Sequence, residues 1–111
     1  MNFIKSLTLT TILLSSITYI ARAEINVIAS VKPLHSLVAA VMEGVSMPNL
    51  IVKGAASPHT YALKPSQAKQ LEKADLVFWM GHSLETFLEK PLEAIATRAM
   101  VVELMDSEGL K

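Results

Sequence analysis

Two rhythms of apolar residues alternate along this chain. Ile25-Asn26-Val27-Ile28-Ala29-Ser30 is a short run bounded by Lys32-Pro33, which predicts a buried strand. From Pro33 the spacing changes. Leu34, Leu37, Val38, Val41 and Met42 recur at helical intervals and form one apolar stripe. Proline suits a first helical position because its missing N–H has no partner to lose there, and Gly44 suits the C-terminal cap. Asn49 to Lys53 predicts a second strand, and Gly54 to Pro58 a loop. Lys64-Pro65-Ser66 opens a second helix that runs to about Lys73. Leu76-Val77-Phe78-Trp79-Met80 is wholly apolar, as expected for a strand covered on both faces. Gly81 ends it. Ser83 can cap a third helix, with Glu85 or Thr86 in its first turn and Leu84, Phe87 and Leu88 on one face. Pro91 restarts or kinks that helix, and Leu92 to Thr97 continue it. Val101 to Leu104 predicts a fourth strand, and Asp106 to Lys111 is polar. Strands and helices alternate throughout, so the fold class is α/β, a parallel sheet with flanking helices.

The first residues break this rhythm. Met1 to Lys5 is a short basic start, Ser6 to Ile20 is uncharged, and Ala21-Arg22-Ala23 has the small-x-small form of a cleavage site. That is the plan of a secretory signal peptide over residues 1–23. The uncharged run is shorter than the roughly 20 residues a spanning helix needs. The expectation is therefore a chain exported to the periplasm, cleaved before Glu24, with no stable membrane anchor. Loss of Lys5 and Arg22 takes the formal net charge from 0 to −2. No basic patch survives, which argues against nucleic acid as a partner. There is no cysteine, hence no disulfide framework and no lipid-anchoring thiol. Residues 24–111 suffice for one small core, not for a two-lobed protein.

In an open parallel sheet, ligands bind beyond the carboxyl ends of the strands. His35 follows the first strand, His59 the second and His82 the third. His59 is the strongest candidate metal ligand. Pro58 stiffens its loop, and a held neutral imidazole is a good donor to zinc. Spacing alone also allows an ordinary surface histidine. His35, off the apolar stripe, and His82, just after Gly81, are weaker candidates with equally plain alternatives. Glu85 and Glu89 lie four apart and predict a solvated helix face, as do Lys69 and Lys73. Trp79 reads as core. The methionines are too scattered for a copper site. Nucleotide-binding and hydrolase motifs such as GxGxxG, the P-loop, GxSxG and HExxH are absent from the sequence.

Several segments follow one another in an order that is more specific than any one of them. They are Ser30-Val31-Lys32-Pro33-Leu34, Gly54-Ala55-Ala56-Ser57-Pro58-His59-Thr60-Tyr61, Leu63-Lys64-Pro65-Ser66, Ala74 to Gly81, and Leu84-Glu85. Together they resemble the amino-terminal part of the ZnuA-like periplasmic zinc-binding proteins of ABC importers. The resemblance covers essentially all of residues 24–111. It implies a partial amino-terminal lobe of a two-lobed metal-receptor fold, with His59 as a direct zinc ligand. It implies no family ligand at His35 or His82. It also implies delivery of zinc to an inner-membrane ABC permease with its ATPase, a monomeric receptor, and no enzymatic step. Some zinc members carry an acid just before the ligand histidine. Pro58 stands there in this chain. Manganese receptors of the same family tend to have Tyr-Pro where this chain has Lys32-Pro33, which favours zinc over manganese. The remaining ligands, and any histidine-rich loop, are expected beyond Lys111. Three alternatives stand beside this reading. They are a manganese receptor, an exported α/β hydrolase fragment with His59 as base near Ser57 or Tyr61, and a nonfunctional truncated remnant.

Overall fold

The computed structural model describes residues 23–110. The expected signal segment lies outside them, apart from Ala23. Four strands form one sheet, β1 Val27–Ala29, β2 Asn49–Leu50, β3 Leu76–Trp79 and β4 Met100–Glu103, in the order β2-β1-β3-β4. All three pairings are parallel. Three helices connect them: α1 Lys32–Val41, α2 Pro65–Lys73 and α3 Thr86–Ala94. The expected α/β class and the expected order of elements both hold. Among the described residues, no helix is long and apolar enough to cross a membrane.

The register sorts side chains between the two faces. Ile28 pairs with Val77, and Val77 with Val101, so these three share one face. α2 and α3 pack there, and Ile28, Val77, Leu71 and Leu88 are each at most 1% exposed. Val27, Leu76, Ala29, Phe78 and Val102 share the other face, where α1 packs. Leu34 and Val38 of α1 are buried, but Leu37 is 66% and Val41 86% exposed. The stripe read from the sequence is real, yet only half of it meets the sheet. The other half lines an apolar groove with Leu76, Phe78, Val102 and Leu104. For the same reason β3 is not covered on both faces. Val77 and Trp79 are buried, while Leu76 and Phe78 are half-buried.

Three local expectations change. The second strand is shorter than predicted, because the chain bends at Ile51 and Val52. Both residues remain buried, and their amides still donate to Ala29 O (3.1 Å) and Ser30 O (2.9 Å). Ser83 does not cap α3. Its hydroxyl donates to Met105 Sδ, and the helix begins at Thr86 after a turn in which the amides of Leu84 and Glu85 donate to Gly81 O. The helix runs through Pro91 and ends at Ala94. Glu85, expected on a solvated face beside Glu89, is fully buried. Its side chain folds back to the strand ends instead of pointing outward.

Candidate functional site

The carboxyl ends of the strands carry the polar chemistry. The loop after β2 leaves the sheet at Lys53-Gly54, and Gly54 adopts φ +68°, a left-handed conformation that glycine takes without a steric penalty. Ser57 organises the next turn. Its hydroxyl accepts the His59 amide (3.3 Å) and its carbonyl the Thr60 amide (3.3 Å). Pro58 faces a shallow concavity shared with Val31, Pro33, Val52 and Leu84. His59 stands exposed at the crest, and among the described residues its imidazole makes no hydrogen bond.

The far side of this loop is pinned by Gln67, a residue the sequence reading did not single out. Gln67 is 6% exposed. Its Nε2 donates to Ile51 O (2.8 Å), and its Oε1 accepts the Lys64 amide (3.0 Å). The Tyr61 hydroxyl is hydrogen-bonded to the same amide group. The Tyr61 ring also lies against Phe87, with centroids 5.1 Å apart at 52°, a tilted geometry suited to the aromatic quadrupoles. One signal could have revealed Gln67. It stands three residues after Lys64, where a glutamine side chain can reach back to the first free amide of a helix. Two residues from His59, the loop is therefore tied to β2, α2 and α3 at once.

The three histidines follow their strands as expected, but they are not brought together. His35 Nε2 lies 2.8 Å from Pro48 O. A carbonyl only accepts, so this nitrogen carries the hydrogen and ties α1 to the entry of β2. His82 is exposed, with Nδ1 3.5 Å from Glu103 Oε1. Among the described residues, no group of three or more His, Cys, Asp or Glu side chains could hold a metal ion. His59 is thus a single, unengaged donor on a fixed base. Neither Ser57 nor Tyr61 pairs with its ring. The Ser57 hydroxyl serves the His59 amide and the Tyr61 hydroxyl serves Gln67.

Comparison with known proteins bears on the fold and the descent of the chain. The family model described as "Zinc-uptake complex component A periplasmic" matches residues 27–111. The high-affinity zinc uptake system protein ZnuA of Brucella abortus is 54% identical over 85 residues, which is 77% of this chain and 25% of the relative. The protein of the same name from Haemophilus ducreyi is 38% identical over 104 residues, 94% of this chain and 33% of the relative. The chain thus spans a quarter to a third of the length of these curated relatives. Among solved structures, the Mn-bound periplasmic metal binding protein from Candidatus Liberibacter asiaticus superposes with a TM-score of 0.67 at 17% identity, covering 76% of this chain and 32% of that one. The Zn(II)-bound ZnuA-like domain of Streptococcus pneumoniae AdcA gives 0.65 at 16%, covering 72% and 30%. At such identities the structures speak for the fold alone, whereas the family match and the closely similar sequences speak for descent: this chain belongs to the family of periplasmic zinc-uptake component A, the ZnuA proteins.

Proposed function

We propose that residues 24–111 form part of the amino-terminal lobe of a periplasmic receptor that captures Zn²⁺ and passes it to an ABC permease and its ATPase. His59 supplies one ligand of the site. The observation that carries this reading is the His59 imidazole, exposed and without a hydrogen bond among the described residues, at the carboxyl edge of the sheet on a loop stiffened by Pro58 and tied down through Tyr61. Imidazole suits zinc. Manganese stands at the weak end of the divalent series for such donors and prefers oxygen-rich sites. A zinc site takes three or four protein ligands, so His59 needs partners from outside the described residues. Capture and release exchange ligands on the ion and make or break no covalent bond of a substrate. A hydrolytic reading with Ser57 or Tyr61 beside His59 has little to stand on, since those two hydroxyls are hydrogen-bonded elsewhere.

In a full-length receptor carrying this segment, His59→Ala weakens zinc binding at least about tenfold, because loss of an outer hydrogen-bond partner alone costs about 10–100-fold. An unchanged Kd overturns the ligand role.

A further inference from the structure

Glu85 is a carboxylate with 0% exposure in a small domain, a costly placement unless its oxygens are fully satisfied. They are. Oε1 accepts the Ser30 hydroxyl, and the Met80 amide at 3.1 Å, while Oε2 accepts the Gly81 amide at 3.0 Å. Ser30 is also 0% exposed. It is the first residue after β1, and Met80 and Gly81 are the first two after β3. One side chain therefore clamps the carboxyl ends of the two central strands from below. Gly81 can take part because it lacks a side chain. Its φ is +144°, and a Cβ there would run into the Glu103 carboxylate.

The residues next to this clamp face the His59 loop across one concavity. Val31 adjoins Ser30, and Leu84 adjoins Glu85. Both line the same concavity as Pro58, the neighbour of His59. We propose that Glu85 is a positioning residue for the His59 loop. Its carboxylate fixes the spacing of Val31 and Leu84, and that spacing fixes where Pro58, and with it the imidazole, can rest. This role rests on the zinc-receptor reading only for what the loop carries.

Two variants test it, with a third as control. Glu85→Gln keeps the shape but turns an amide NH₂ toward a backbone N–H, whichever way it is flipped. Ser30→Ala removes one donor and leaves the fold's apolar contacts intact. Leu92→Ala, on α3 away from the concavity, destabilises the domain without touching the clamp. In ¹⁵N relaxation of the labelled chain, Glu85→Gln lowers the order parameters of residues 54–60 and shifts the methyl signals of Val31 and Leu84. Ser30→Ala does the same to a smaller degree. Leu92→Ala, compared at equal distance below its melting temperature, leaves them as in the parent. If the loop loses order equally in Leu92→Ala, or if Ser30→Ala leaves it unchanged, Glu85 serves stability alone and the proposal falls. Should Glu85→Gln fail to fold, Ser30→Ala against Leu92→Ala decides the matter. Zinc binding by a full-length receptor and its His59→Ala variant separates this from the metal reading. An unchanged Kd sinks that reading, while a loop that loosens only in the clamp variants still supports the clamp.

Discussion

The two faces of the sheet are built from equally apolar residues and end up in different states. On the α2/α3 face, Leu71, Val77 and Leu88 are completely buried. On the α1 face, Leu37, Val41 and Val45 are each more than 60% exposed, along a groove floored by Leu76, Phe78 and Val102. Two helices cover one face and one covers the other. Helical periodicity shows which residues point the same way, but whether anything meets them depends on how many elements share a sheet. Burial stabilises roughly in proportion to the apolar area taken from water, so the α2/α3 face carries most of the stability of the described residues.

That contrast can be broken by mutation. The largest effect belongs to Leu88→Ala, expected to cost about 2–5 kcal/mol in urea unfolding, since it opens a cavity in a closed layer. A loss no larger than that of an exposed site would mean that this face is not the core. Glu85→Gln follows, at about 1–3 kcal/mol, the cost of leaving a buried hydrogen-bonding group unmatched; an unchanged unfolding midpoint would show that the clamp contributes nothing. Val41→Ser on the open face is expected to stay within about 0.5 kcal/mol and to reduce binding of a hydrophobic dye. If it destabilises as Leu88→Ala does, the groove is closed in solution. The smallest effect is His59→Ala, also within about 0.5 kcal/mol. A large loss would make His59 a structural residue and not a donor held in readiness.

The sequence made the element order, the parallel sheet and the His59 loop legible, because each rests on local rules: a change of period at Pro33, an apolar run at Leu76–Met80, a proline before a histidine. What it hid was long-range. Glu85 looked like half of an exposed i, i+4 pair because spacing reports a helix face only once the helix has begun. α3 begins one residue later, and the side chain is claimed by Ser30, 55 positions away. Gln67 escaped notice because its three partners lie on a loop, a helix cap and the end of β2. The open groove was equally invisible, since a strand half-covered and a strand fully covered share the same apolar letters.

The order of the strands has a consequence for timing. β1 and β3 lie side by side, and the hydrogen bond from the Asn26 amide to the Asp75 carboxylate spans 49 positions. The whole His59 loop lies inside that closure. Contacts so distant along a chain form slowly, because closure entropy is lost before pairing compensates for it. Leu84, which lines the same concavity as Pro58, comes after β3. A chain emerging from its amino end thus presents the histidine long before it can hold it still. The imidazole acquires a fixed address only when the central ladder zips.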